Sequence, residues 1–374
     1  MNPHPDVVAL TRKLLSFDTI NPPGAEQACA EYLGALLERS GFRVDYAAFA
    51  PTRTSVVARI GRDMDKPPLG FTGHMDTVPL GGAQWKRDPF GASLEGGRLY
   101  GRGSSDMKSG VAAFVVAALA QAERLRESPG VTLVLTADEE CGCGGAAHLA
   151  RETSLLGRVG ALLVGEPTAN YPLVGHKGSL KFHAAFRGVS AHGSMPHLGE
   201  NAVYKAARAV AKLEEFDFKA KKHAIMGEPT LNVGTFEGGS GVNLVPDLAK
   251  IGVDIRTVPG VDHKKLISRL KTLMGKADVD VFSDLPPVWT APDDDWMQRV
   301  FEICKPVLGK KPRARTATYM TDAANLLKVY AGAPTVVLGP GEAQMAHQTD
   351  EYCNMERIRE SVAIYEALID DWIR

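Results

Sequence analysis

The chain is 374 residues long and carries 43 Lys and Arg against 44 Asp and Glu, a formal net charge of -1. That length exceeds what a single core usually holds, so two domains, or one large domain with an insertion, are expected; the balanced charge excludes a global field that would draw nucleic acid or an anionic membrane and points to a small-molecule partner. The five cysteines, Cys29, Cys141, Cys143, Cys304 and Cys353, are few, odd in number and mostly scattered, which excludes a disulfide framework and implies a reducing, cytoplasmic compartment.

The start, Met1-Asn-Pro-His-Pro-Asp6, shows no basic region followed by an apolar run, and no apolar stretch approaches the length that spans a bilayer. From Asp6 to Phe17 the apolar positions Val7, Leu10, Leu14 and Leu15 recur at helical spacing until Asn21-Pro22-Pro23-Gly24 stops them. A helix over Glu26–Ser40 ends at Gly41, strands follow over Phe42–Tyr46 and Ser55–Ile60, and Pro67-Pro68 leads into a strand over Leu69–Thr72. Val111–Ala120 is apolar nearly all round, as a buried helix is; Val131–Thr136 and Ala161–Gly165 are short apolar strands of a sheet covered on both faces. This is the order of an open α/β sheet, in which sites form at the carboxyl ends of strands.

Between Gly178 and Thr290 the pattern changes. Strands over Leu180–Phe186, Thr230–Phe236, Lys250–Arg256 and Val279–Phe282, with helices over Ala202–Leu213 and Val261–Leu273, spell β-α-β-β-α-β, a compact insertion. After Ala291-Pro292 the first pattern resumes with helices over Asp295–Cys304 and Asp322–Lys328, a strand over Thr335–Leu338 and a last helix over Met355–Arg374.

Residues with metal-ligand chemistry gather where strands end. His74 in Phe71-Thr-Gly-His-Met-Asp-Thr-Val-Pro79 offers an imidazole, with Asp76 two positions on; such a pair also suits a polar loop. Asp106, in Tyr100-Gly-Arg-Gly-Ser-Ser-Asp-Met-Lys-Ser-Gly110, begins the apolar helix either as its cap or as a ligand. Asp138, Glu139 and Glu140 crowd the end of an apolar strand, where a dication would relieve their repulsion. Cys141 and Cys143 have no second cysteine pair at a zinc-thiolate spacing. Glu166 ends another strand, and His347 lies in the loop Gly339–Glu351. Together His74, Asp106, Glu140, Glu166 and His347 make the inventory for two divalent metals that share one bridging carboxylate. Glu139 is then the spare acid, suited to be the general base that deprotonates a metal-bridging water.

The motifs Gly73-His-Met-Asp-Thr-Val-Pro79, Gly101-Arg-Gly-Ser-Ser-Asp-Met-Lys108, Thr136-Ala-Asp-Glu-Glu140, Gly165-Glu-Pro-Thr168 and Gly339-Pro-Gly-(x)5-His-Gln-Thr-Asp-Glu351 resemble those of the M20 metallopeptidase family, in order and over nearly the whole chain. Within it the likeness is to the branch of acetylornithine deacetylase and succinyl-diaminopimelate desuccinylase, and Pro229-Thr-Leu-Asn-Val-Gly234 and Val253-Asp-Ile-Arg-Thr-Val-Pro-Gly260 lean toward the former. The resemblance implies an α/β open-sheet zinc-hydrolase catalytic domain, residues 1–177 and 291–374, with an inserted ferredoxin-like α+β lid and dimerisation domain, residues 178–290. It implies two Zn2+ ions, replaceable by Co2+, one held by His74, Asp106 and Glu166 and the other by Asp106, Glu140 and His347. Asp76 would orient His74, Glu139 would be the base and then the acid, and the Asp106–Met107 peptide would be cis.

His192 in Ser190-Ala-His-Gly-Ser194, by itself a turn histidine among small residues, matches the family's lid histidine, which reaches across a homodimer to the oxyanion. The implied reaction is metal-dependent removal of an acyl group from an N-acyl amino acid, as in acetylornithine deacetylase; the alternatives are a succinyl-diaminopimelate desuccinylase and a di- or exopeptidase acting on short peptides. Asn243 and Arg256 are candidates for the substrate carboxylate, although Arg256 equally suits a solvated strand end, and Lys177 and Ser179 are further candidates at the hinge. Tyr319-Met-Thr-Asp322-Ala departs from both branch patterns; Asp322 either pairs a cationic side chain or caps the following helix.

Overall fold

The computed structural model describes residues 5–374; the first four residues, on which the reading of the N-terminus partly rests, lie outside them. The chain forms two compact units, one made of the segment up to Gly175 with Trp289–Ala317 and Thr321–Arg374, the other of His176–Val288 with Thr318–Met320. Among the described residues no helix is long and apolar enough to cross a membrane.

In the first unit α1 (Val7–Leu15) starts where the Asp6 carboxylate accepts the Ala9 amide at 2.9 Å, and its buried stripe is the expected one. Then come α2 (Gln27–Arg39), β1 (Arg43–Ala50), β2 (Arg53–Ile60), β3 (Leu69–His74), α3 (Ser109–Ala120), β4 (Val131–Thr136), α4 (Gly144–Arg151) and β5 (Ala161–Val164). β1 and β2 pair from Arg43 opposite Arg59 up to a bulge near Ala48, so both run longer than their apolar residues alone suggest.

The second unit holds β6 (Gly178–Arg187), α5 (Ala202–Glu214), β7 (Thr230–Gly238), β8 (Leu248–Thr257), α6 (His263–Met274) and β9 (Asp278–Leu285). Its strands form one antiparallel sheet in the order β7-β8-β6-β9, the ferredoxin-like arrangement of a β-α-β-β-α-β chain. Strand alternation sends Leu180, Phe182, Ala184, Ile251 and Val253 to one core with Ala206, Leu266 and Leu270 of the two helices.

The chain returns to the first unit with α7 (Asp295–Leu308), β10 (Thr335–Val337) and α8 (Met355–Ile373). The helix expected over 322–328 is one turn, Ala323–Leu326. The six-stranded sheet has the order β1-β2-β4-β3-β5-β10; β4, β3, β5 and β10 are mutually parallel, while at one side β2 is antiparallel to both β4 and β1. β3, β4 and β5 are buried along their whole length, as strands covered on both faces must be. Phe71 of β3 meets Phe114 of α3 at 5.8 Å and Tyr365 of α8 at 5.9 Å between ring centroids, and Tyr365 closes the layer by donating its hydroxyl to Leu338 O at 2.6 Å. Each ring buried this fully stabilises the fold by about 1.5–3 kcal/mol.

Parallel register brings the strand ends level. His74 pairs with Thr136, Thr72 with Val164, and Val164 with Val337, so the loops after β3, β4, β5 and β10 all leave from one edge of the sheet.

Candidate metal centre

That edge assembles the ligand-type residues. His74 is the last residue of β3; Glu139 and Glu140 follow β4, Glu166 follows β5, and His347 is on the loop after β10. Asp106 sits in the turn Ser104–Lys108 that opens α3, and the Asp106–Met107 peptide is cis, as the resemblance implies. Two glycines let the backbones close up here: a Cβ on Gly110 or Gly339 would stand 2.0 or 2.2 Å from Gly165 O, just before Glu166. No larger residue fits either contact.

His74 Nε2 lies 3.2 Å from Asp106 Oδ1 and 3.8 Å from Glu166 Oε1. His347 Nε2 lies 3.4 Å from Asp106 Oδ2 and 3.1 Å from Glu140 Oε2. Asp106 thus offers one oxygen to each imidazole, and ligand atoms of His74, Asp106 and Glu140 all fall within 4.8 Å of one another. Glu139 joins neither group; its Oε1 is 3.6 Å from the Cys143 thiol.

Burial and the crowding of like and opposite charges shift most of these groups toward their protonated forms. Burial works to lower the His74 pKa, but hydrogen bonds to Asp106 and Asp76 and the charge of Glu166 carry it well above the ordinary value. Hydrogen bonds to Asp106 and Glu140 push His347 up to about 10. Burial raises Glu140 and, more strongly, Glu139 and Glu166; it works the same way on Asp106, which the two imidazoles nevertheless hold below the usual carboxylate range. A divalent cation satisfies the same charges without protons. The donor set, two imidazoles and three carboxylates, suits zinc, and Glu140 Oε1 is buried with no hydrogen-bond partner.

Asp76 lies against the His74 ring and holds a second loop as well. The His74 Nδ1 nitrogen is 3.0 Å from the Asp76 backbone carbonyl and 3.6 Å from its carboxylate. The carboxylate accepts the Glu139 and Glu140 amides at 3.0 and 3.1 Å, so it braces the acidic loop as well as the ring. Asp322 does not cap: its helical turn has no side-chain cap, and its buried carboxylate accepts the Thr136 hydroxyl. The side chain is 2 % exposed and lies among Thr136, Cys143 and the charges of His74 and Asp76.

A buried ion pair, unassigned by sequence reasoning, supports Asp106. Glu351 accepts Arg102 Nη1 at 2.7 Å and the amides of Gly103, Ser105 and Asp106 at 2.9, 2.8 and 3.0 Å. Glu351 ends the Gly339–Glu351 motif, and that position was the one available signal.

The remaining candidates belong to the second unit. His192 pairs with Leu244 and Ala191 with Val245, while Gly193 donates to Asn243 O at 2.7 Å, so His192 and Asn243 share one short ladder. The Ser194 amide donates to His192 Nδ1 at 3.2 Å, which leaves the ring proton on Nε2. Arg256 donates to Asp254 at 2.9 Å, Lys177 to Glu228 O, and Ser179 is buried.

A family model, Peptidase family M20/M25/M40, matches residues 70–371. An acetylornithine deacetylase of Photorhabdus laumondii is 30 % identical, the match covering 98 % of this chain and 97 % of the relative. A probable succinyl-diaminopimelate desuccinylase of Staphylococcus epidermidis is 31 % identical over 96 % of each chain. Among solved structures, an M20 family metallo-carboxypeptidase from Sulfolobus solfataricus superposes with a TM-score of 0.82 at 20 % identity, covering 98 % of this chain and 99 % of that one.

Proposed function

We propose, from the premise that the chain belongs to peptidase family M20/M25/M40 and is a metal-dependent amidohydrolase of that family, that its reaction is removal of an acyl group from an N-acyl amino acid. The observation that carries the reading is Asp106 standing between two imidazole-carboxylate groups, with the uncommitted Glu139 beside them. His74, Asp106 and Glu166 would hold one Zn2+, and Asp106, Glu140 and His347 a second. Bound there, the ions supply Lewis acidity and make water acidic enough to ionise near neutral pH.

The chain's own residues do the rest. Glu139 takes the proton of the attacking water and returns it to the leaving amine. His192 donates Nε2–H to the oxyanion, from the partner of a homodimer formed through the second unit. Asn243 and Arg256 bind the substrate carboxylate, for which Arg256 trades part of its bond to Asp254. The names of the curated relatives favour an acetyl or succinyl group on a diamino acid.

A panel of N-acetylornithine, N-succinyl-diaminopimelate, other N-acyl amino acids and dipeptides, assayed with zinc or cobalt, tests the reading. The highest kcat/KM is expected on an N-acyl amino acid; a dipeptide in that place overturns deacylation, and equal activity of chelator-treated and zinc-loaded protein overturns the metal mechanism.

Zinc binding should also release protons. His74 and His347 are raised, so both are protonated at neutral pH in the metal-free chain and must give up a proton to ligate. Affinity therefore falls as pH falls. Calorimetric titration in two buffers of different ionisation enthalpy should give different apparent enthalpies; equal values would mean that no proton leaves.

A further inference from the structure

The family match begins at residue 70, yet a segment well before it touches three of the loops that build the metal centre. Residues 14–26 run as a strap. At its start the buried Lys108 ammonium, two positions beyond Asp106, donates to Leu14 O at 3.1 Å and Phe17 O at 3.0 Å. In its middle Thr19 donates its hydroxyl to Met75 O at 2.7 Å, Asn21 N donates to Thr77 O at 2.7 Å and Thr77 N to Thr19 O at 3.0 Å, so the strap pairs with the loop that leaves His74. At its end Glu26 accepts the Asp138 amide at 3.2 Å, and Arg53 ties Glu26 to the Asp138 carboxylate.

Asn21 stands where these contacts converge. Its Nδ2 donates to Asp76 Oδ2 and to Asp138 Oδ1, both at 2.8 Å, and the residue is 2 % exposed. Both amide hydrogens are used, and the reverse orientation would set the amide oxygen against two carboxylates. Asp76 in turn holds the Glu139 and Glu140 amides. The link from strap to base and ligand therefore runs through two side chains, Asn21 and Asp76.

We propose that Asn21 is a positioning residue of the metal centre, its amide setting the spacing between the loop that carries His74 and the loop that carries Glu139 and Glu140. The inference rests on the metal reading above. Asn21→Asp keeps the shape but faces two carboxylates with a third; Asn21→Ala removes the bridge and adds no charge. Outer partners of metal ligands are worth about 10–100-fold in affinity or activity. Zinc affinity, measured on the full chain by competition with a chromophoric chelator, should fall by about that factor in both variants, more in Asn21→Asp. On the preferred substrate kcat should fall with KM little changed, because the amide contacts the loops and not the substrate binding groups. Thr19→Val, which loosens the same strap at Met75 O, gives a milder variant should both substitutions at 21 fail to fold, and should weaken zinc binding in the same direction. Unchanged zinc affinity and kcat in folded variants, with only a lower melting temperature, would overturn the proposal and leave Asn21 a structural residue. Wild-type protein that binds no zinc would instead overturn the metal reading itself.

Discussion

Glu139→Gln is expected to bind zinc in wild-type amount and to lose about 10²–10⁴-fold in kcat on whichever N-acyl amino acid the wild type prefers. The substitution preserves shape but replaces a proton-accepting carboxylate oxygen, one that neither imidazole engages, with an NH2 that cannot accept a proton. Burial raises the Glu139 carboxyl well above its ordinary value, and the charges of Asp322, Glu140 and Asp76 add to this against the opposing His74. Burial that favours the protonated form lets the side chain hold a proton once it has taken one, as an acid-base group must. Metal content by atomic absorption beside steady-state kinetics separates the two outcomes; near-normal kcat at full metal content would remove Glu139 from the mechanism.

Glu351→Ala is expected to cost about 3–5 kcal/mol of stability, because it strands the buried Arg102 guanidinium without its partner. The amides of Gly103, Ser105 and Asp106 lose their acceptor in the same step. Urea unfolding monitored by circular dichroism measures the loss. A change below about 1 kcal/mol, the size expected of an exposed pair, would show that the buried pair contributes no more than a surface one.

Much of the centre is legible in the chain because its residues follow directly on apolar strands. Val131–Thr136 announces a strand buried on both faces, and the acids after it can only be at its carboxyl end. The same holds for His74 after Leu69–Gly73 and for Glu166 after Ala161–Val164. The β-α-β-β-α-β order of the second unit is legible for the same reason, through alternation along β8 and helical spacing in α5 and α6. What surrounds the centre is not legible. Asn21 and Asp138 are 117 positions apart, Arg102 and Glu351 are 249 apart, and no local periodicity reports such pairs. Asn21-Pro-Pro-Gly24 reads as a helix stop, although the helix already ends at Leu15, and nothing in that reading shows an amide between two carboxylates. Asp322 shows local chemistry losing to tertiary contact: a residue of good capping type turns instead to the Thr136 hydroxyl at the end of β4.

Among the five donors, His347 keeps 52 % of its side chain exposed, whereas His74, Asp106, Glu140 and Glu166 lie between 1 and 12 %. A ligand that solvent can reach is the one that detaches first. In the proposed two-ion arrangement the ion held by His347 and Glu140 would accordingly be the more labile, and the ion held by His74 and Glu166 would exchange more slowly. Scarcity of metal would then produce a uniform population carrying one ion each, not a mixture of full and empty molecules, and supply of the second ion would set how much of that population can turn over.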